Sequence, residues 1–360
     1  MTVTELSTPA VVVDLDCVER NLQRMADYCT EQGIALRPHT KTHKSIEMAK
    51  RQLALGAVGL TVAKVGEAEV MAMTGAKQIL IAHPIVGDAK LRRLAKLARE
   101  IDILVAVDSV EVARGLSDVA AKEGCAFGLL IEFDSGAHRC GVAAGEPCAA
   151  LGMAVASLPG VKVRGLFTFL GSVWGTDEER ATQMQMIARD VATARDAFTQ
   201  AGLSLEIVSA GSTPAAELSH MVPGITEIRP GTYIYCDLNT VHQGICTIGD
   251  CAVRVVTSVV STAVPGYAIV DAGSKTFSSD RLSSGPETGF GLATTGQTIS
   301  KLNEEHGFIQ DDACNLRVGD ILSVIPNHVC TCINMHDEVH VSRGGDIVEV
   351  LRIDARGKVS

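Results

Sequence analysis

Aromatic residues are scarce. Phe, Trp and Tyr together make up 4% of the chain, and Trp174 is the single tryptophan. Surfaces on which successive unpaired bases stack need several exposed rings, so single-stranded nucleic acid is not an expected partner. Basic residues are also in deficit, with 32 Lys and Arg against 42 Asp and Glu and a net charge of −10. A surface of that sign repels a phosphate backbone. Long apolar runs are missing too: although 46% of the residues are hydrophobic, no stretch reaches the roughly 18 residues that cross a bilayer. Met1-Thr2-Val3-Thr4-Glu5 has neither the basic start nor the apolar core of a secretory signal. The expectation is a cytoplasmic protein that touches no membrane. The eleven cysteines, odd in number and scattered, then read as reduced thiols rather than a disulfide framework. Cys17, Cys29, Cys125, Cys148 and Cys251 suit small core positions.

What is present is alternation. At 360 residues the chain has room for two domains. Short apolar runs alternate with helical patterns from Val11 onward: Val11–Leu15, the run before Lys41, Gly59–Val62, Gln78–Ala82, Asp102–Val107, Ala126–Phe133, Val163–Phe169, Glu206–Ser209 and Thr226–Arg229. Continuous apolar strands joined by helices argue for a parallel sheet. About eight such units predict a (β/α)8 TIM-like barrel over residues 11–245. A doubly wound sheet is the runner-up, weakened because no glycine-rich dinucleotide fingerprint follows the first strand. After residue 245 helical periods fade and strand-like runs dominate. Residues 246–360, with 1–10, are expected to form an all-β domain.

Four segments carry candidate chemistry. Arg37-Pro38-His39-Thr40-Lys41-Thr42-His43-Lys44 closes an apolar run with basic and imidazole groups around Lys41. Positive neighbours and partial burial would favour the neutral amine, a nucleophile able to form a Schiff base with a carbonyl. The alternative is a solvated basic turn. Ser209-Ala210-Gly211-Ser212-Thr213-Pro214 follows a late strand. Its small residues let backbone N–H groups approach an anion and its hydroxyls donate, as a phosphate cup requires. Gly231, Thr232 and Tyr233 complete that cup in this reading. The third, Pro326-Asn327-His328-Val329-Cys330, lies in the β domain. On a strand, residues two apart share a face, so His328 and Cys330 can hold one metal ion, and nitrogen plus thiolate favours zinc. Cys332, His336 and His340 follow the same spacing as rival ligands. Asp134 to Val142 is the fourth, a loop after a barrel strand that holds Arg139.

The Arg-Pro-His-x-Lys-x-His-Lys pattern, with matches from Thr8-Pro9-Ala10 to Ala355-Arg356-Gly357-Lys358, resembles the fold type III, alanine racemase-like pyridoxal-phosphate enzymes. The branch it is similar to holds D-threonine aldolase, 3-hydroxy-D-aspartate aldolase and the D-serine and D-threo-3-hydroxyaspartate dehydratases. The resemblance implies that Lys41 carries pyridoxal 5′-phosphate, that Ser209, Gly211, Ser212, Thr213, Gly231, Thr232 and Tyr233 surround its phosphate, and that Arg139 meets its phenolic oxygen. Arg229 would face the pyridine nitrogen, or else form a salt bridge with Glu227. His328 and Cys330 would bind a divalent metal (zinc, or manganese or magnesium) near the substrate hydroxyl.

The family's His-x-Cys pair points to the dehydratases, whereas Ile333-Asn334-Met335-His336-Asp337 and the terminal Ala355-Arg356-Gly357 look more like the aldolases. Relatives often carry a histidine or glutamine base where this chain has Phe167-Thr168-Phe169-Leu170-Gly171-Ser172. A metal-held hydroxide, His306 or a different substrate would have to account for that departure. The resemblance thus implies a homodimeric lyase acting on a D-β-hydroxy-α-amino acid, first as a retro-aldolase, alternatively as a dehydratase. A metal-independent racemase and a non-catalytic pyridoxal-phosphate carrier are further alternatives.

Overall fold

The computed structural model describes residues 1–171, 173–282, 289–313 and 315–360. It divides into two compact units, a barrel unit of residues 25–41, 46–231 and 357–360 and a β unit of residues 1–24, 42–45 and 232–356. Strand β1 (Ala10–Asp14) belongs to the β unit. The barrel unit holds eight strands: β2 (Ala35–Leu36), β3 (Leu60–Val62), β4 (Gln78–Ile81), β5 (Asp102–Val107), β6 (Phe127–Glu132), β7 (Val161–Phe167), β8 (Ile207–Ala210) and β9 (Glu227–Ile228). All pair in parallel, in the order β2-β9-β8-β7-β6-β5-β4-β3. A parallel bridge between His39 and Thr61 joins the two end strands, with Thr40 N to Thr61 O and Thr61 N to Pro38 O both at 2.9 Å. The sheet thus closes one residue before Lys41. This is the expected alanine racemase-like barrel.

The strands form because both their faces are covered. In β5, Ile103 to Val107 are all fully buried, as a parallel strand between a packed interior and an outer helix must be. Leu80, Leu104, Ala106, Leu130, Phe167 and Ile207 pack together as one apolar cluster. The longest crossover helix, Asp177–Gln200, starts with a reciprocal cap: Thr176 N donates to Glu179 Oε2 at 2.7 Å and Glu179 N to Thr176 Oγ1 at 3.3 Å. Its buried residues Met184, Ile187, Val191, Ala194 and Phe198 recur every three or four positions, the stripe that faces a sheet.

The β unit adds β10 (Val253–Ser261), β11 (Tyr267–Val270), β12 (Gly291–Ala293), β13 (Ile299–Leu302), β14 (Gly307–Gln310), β15 (Ile321–Pro326), β16 (Glu338–Arg343) and β17 (Asp346–Arg352) to β1. They run β13-β14-β11-β10-β1-β16-β17, with β15 beside β10 and β12. One element departs from the sequence reading. The alternation places Val11–Leu15 in the barrel, but β1 lies antiparallel to β10 and parallel to β16. Val11, Val12 and Val13 are buried on both faces there too, so an apolar run reads the same in either sheet. Residues 11–24 and 232–245 cluster with the β unit. Among the described residues no helix is long and apolar enough to cross a membrane.

Candidate active site

The turn at Lys41 is not a solvated basic loop. Thr40, Thr42, His43 and Lys44 are all buried, and Lys41 alone among them is exposed. The partial burial expected for Lys41 is therefore absent. Its own N–H donates to His39 Nδ1 at 3.3 Å. Thr42 to Ser45 belong to the β unit. There Lys44 Nζ donates to Asn334 Oδ1 at 2.8 Å, and Thr42 Oγ1 lies 3.1 Å from Cys330 Sγ.

At the ends of β8 and β9 a buried charge network forms. Arg37 grips both oxygens of Glu227 at 2.8–2.9 Å. Ser209 Oγ donates to Glu227 Oε1 at 2.5 Å and accepts from Arg229 at 2.7 Å. Arg229 also donates to Thr168 O at 2.7 Å, and its guanidinium lies 3.8 Å from the Phe167 ring centroid. Arg37, not Arg229, forms the salt bridge with Glu227, so the alternative reading of Arg229 has a different cation. Ser209 spends its hydroxyl holding Arg229. Burial lowers the Arg229 pKa, opposed by Glu227 and Glu132.

Gly211 has φ +95°, and a Cβ there would lie 3.0 Å from Ile228 Cβ, so the position suits only glycine. Ser212 caps the 3-10 helix Thr213–Met221 and donates to Gly171 O at 3.1 Å. Gly231 N donates to Thr213 Oγ1 at 3.2 Å. A helix start presents N–H groups without intrahelical acceptors, so these residues fit a phosphate. Thr232 lies in the β unit, 3.7 Å from Cys330 Sγ, and Tyr233 is wholly buried there. Arg139 is exposed and sits 4.5 Å from the Phe169 ring centroid. Asp134 in the same loop accepts from His138 Nδ1 at 2.8 Å.

The strand reading of residues 328–330 does not hold. β15 ends at Pro326, and Val329–Asn334 is a short helix with His328 as its N-cap. The cap acceptor comes from far away: Val329 N donates to Asp237 Oδ2 at 3.0 Å. The extended cap residue and the second helical residue are still electrostatic neighbours, since Cys330 raises the His328 pKa. Cys330, with Asp237 and Asp280, holds the His328 imidazolium up to about 9, against burial. A nitrogen and a sulfur donor among anionic neighbours fit a soft divalent cation. Among the described residues no third His, Cys, Asp or Glu completes a metal cluster, so water or substrate would fill the remaining positions. The rival ligands sit apart. Cys332 is fully buried, gives its thiol proton to Thr276 O at 3.4 Å and is pushed up to about 12 by burial. His336 Nε2 bonds the same carbonyl at 3.0 Å, and His340 lies on β16.

His306 is exposed in the turn between β13 and β14, where its carbonyl accepts from Asn303 N at 2.8 Å. That turn meets the Asp271–Lys275 stretch: Ser274 N donates to Asn303 O at 2.8 Å, and Lys275 pairs with Glu304 and Glu305 at 3.0 and 2.8 Å. Residues 167–171, where a base was missing from the sequence, include buried Thr168 and no titratable group; Ser172 lies outside the described residues. Sequence reasoning did not foresee that Glu132 is buried at the end of β6 and pushed up to about 7 by burial and Asp108. It passed over Asp237 and Asp280. Asp237 also caps its own helix through Thr240, but the contacts that bring Asp280 and Asp237 to residues 328 and 329 span 48 and 92 residues and leave no local signal.

The model for "Alanine racemase, N-terminal domain" matches residues 13–239, and that for "Putative serine dehydratase domain" matches residues 252–342. The chain belongs to the alanine racemase-like family of the D-threonine aldolase and D-serine dehydratase branch. It is 33% identical to 3-hydroxy-D-aspartate aldolase of Paracoccus denitrificans (strain Pd 1222), over 99% of this chain and 93% of that one. With D-threo-3-hydroxyaspartate dehydratase of Delftia sp. (strain HT23) it shares 34% identity, over 91% of this chain and 92% of that one. The crystal structure of D-threonine aldolase from Filomicrobium marinum superposes with TM-score 0.92 at 32% identity, covering 100% of this chain and 98% of that one. A cysteine-to-alanine mutant of a D-threo-3-hydroxyaspartate dehydratase, solved in the metal-free form, superposes with TM-score 0.90 at 32% identity, over 98% and 99% of the two chains.

Proposed function

We propose that this protein is a pyridoxal-phosphate- and divalent-metal-dependent lyase that cleaves D-β-hydroxy-α-amino acids to glycine and an aldehyde, as a D-threonine aldolase does. The reading is carried by likeness to an aldolase along 99% of the chain at 33% identity. Lys41, the one exposed residue in an otherwise buried turn, would bind the cofactor aldehyde. Gly211, Ser212, Thr213 and Gly231 would hold the phosphate, with Thr232 and Tyr233 beside them. Arg139 would face the phenolic oxygen. Arg229, fixed by Ser209 and Thr168, would face the ring nitrogen as a permanent cation. When bound, the cofactor supplies an electron sink and the metal, which we take to be zinc on His328 and Cys330, a Lewis acid.

The residues then decide which bond breaks. If the proton leaves the β-hydroxyl, the Cα–Cβ bond opens to glycine and an aldehyde. We assign that proton to His306. If Lys41 instead takes the Cα proton, the β-hydroxyl departs as water, and hydrolysis of the dehydrated imine gives a keto acid and ammonia. This dehydratase outcome is the second reading, favoured by cysteine as the second ligand and by the metal-free cysteine-to-alanine structure of a dehydratase. We further propose a cytoplasmic homodimer.

The test is product analysis with D-threonine, D-serine and 3-hydroxy-D-aspartate, with and without chelator. Chelator-sensitive aldehyde and glycine support the aldolase. Chelator-sensitive keto acid and ammonia replace it with the dehydratase. Chelator-insensitive inversion at Cα makes the protein a racemase and sinks both.

A further inference from the structure

We propose that Asp280 is a positioning residue for metal binding: it fixes the ring of His328 so that Nε2 alone is offered to the cation. The inference rests on the proposed metal pair. His328 sits in an extended conformation at φ −133°, ψ 104°, between two anchored neighbours. On one side Asn327 is buried. Its Nδ2 donates to Gly289 O at 2.8 Å and Asp280 O at 3.4 Å, and its carbonyl accepts from Asn239 N at 3.1 Å and Nδ2 at 2.9 Å. On the other side Val329 N is held by Asp237. The backbone of residue 328 is therefore fixed, and the remaining freedom is in its ring.

Asp280 removes that freedom. Its Oδ2 accepts from His328 Nδ1 at 2.8 Å and from Thr331 Oγ1 at 2.9 Å. The carboxylate is itself placed by Ser278, whose Oγ accepts from Asp280 N at 3.2 Å and lies 3.1 Å from Thr331 Oγ1. Ser278 adopts φ +70°, a backbone state that a serine seldom holds without surrounding support. With Nδ1–H donated to the carboxylate, the proton the ring gives up to bind a cation is the one on Nε2, and the lone pair so freed is on that nitrogen. The negative charge also makes that nitrogen a stronger donor, as second-layer carboxylates do for metal-bound histidines.

A surface ion pair is the competing account, since both side chains are about 40% exposed, and such a pair contributes at most about 1 kcal/mol to folding. The two accounts separate on metal affinity. Zn2+ alone is titrated calorimetrically into pyridoxal-phosphate-loaded, metal-stripped full-length protein. D280A is expected to raise the Zn2+ Kd by about 10- to 100-fold. The D280A/H328A double variant is expected to bind no more weakly than H328A, because Asp280 acts through the ring. The isosteric D280N keeps an acceptor oxygen, guards against misfolding of the alanine variant, and is expected to raise Kd by a smaller factor. Wild-type affinity in both Asp280 variants overturns the proposal. So does a further loss in the double variant, which would make Asp280 a ligand in its own right. If H328A and C330A bind Zn2+ as wild type does, the metal pair is wrong and the positioning role falls with it.

Discussion

Glu132 offers a test of the barrel's electrostatics that needs no cofactor. The side chain is 3% exposed, and burial and the Asp108 carboxylate, working against Arg139 and Arg229, raise its pKa from 4.5 to about 7. The folded state therefore holds the proton more tightly than the unfolded chain. That contribution is fully present below pH 4.5 and is lost as pH rises through about 7. At about 1.4 kcal/mol per tenfold change in proton affinity, the ionised carboxylate costs the native barrel about 3 kcal/mol at pH 8. The difference falls to under about 1 kcal/mol at pH 5. Glu132→Gln mimics the neutral acid at every pH. Urea unfolding of the cofactor-free protein, followed by circular dichroism, should show the variant more stable than wild type by about 3 kcal/mol at pH 8, with the gain shrinking toward pH 5. Equal stability at pH 8, or a gain that does not change with pH, would refute the reasoning.

Other substitutions probe the remaining contacts. Glu227→Ala leaves the guanidiniums of Arg37 and Arg229 buried without their carboxylate and should destabilise the barrel by about 3–5 kcal/mol in the same unfolding assay. Lys44→Ala loses a bond to Asn334 from a buried position and should cost about 1–3 kcal/mol. Lys41→Ala should leave stability within about 0.5 kcal/mol while abolishing the visible absorbance of bound cofactor; the reverse pattern would swap the roles of the two lysines. Asp237→Ala frees the backbone N–H groups of Thr240 and Val329 and should cost about 1–3 kcal/mol and weaken Zn2+ binding in a chelator competition.

The parts legible in the sequence are those whose signal is local. The unbroken apolar run Asp102–Val107 and the three-and-four spacing from Met184 to Phe198 are each local signals, and both formed the expected elements. Val11–Val13 misled because a strand buried on both faces looks alike in a parallel barrel and in the middle of a mixed sheet. Val329-Cys330-Thr331-Cys332-Ile333 has β-branched residues that favour a strand, yet it is helical. The capping carboxylate that starts that helix is Asp237, 92 residues away. The role of Ser209 was hidden in the same way. Its place after a late strand suggested a phosphate donor, while its hydroxyl serves Glu227 and Arg229, a pairing set by the register of β8 against β9. The exposure of Lys41 among buried neighbours also depends on which residues the turn packs, not on their charge.

The account depends most directly on which amine takes the cofactor. Borohydride reduction of the pyridoxal-phosphate-loaded protein, followed by peptide mass mapping, locates that amine. The expected result is a stable phosphopyridoxyl group on Lys41 and nowhere else. A label on Lys44 or any other lysine, or none at all, would contradict the assignment.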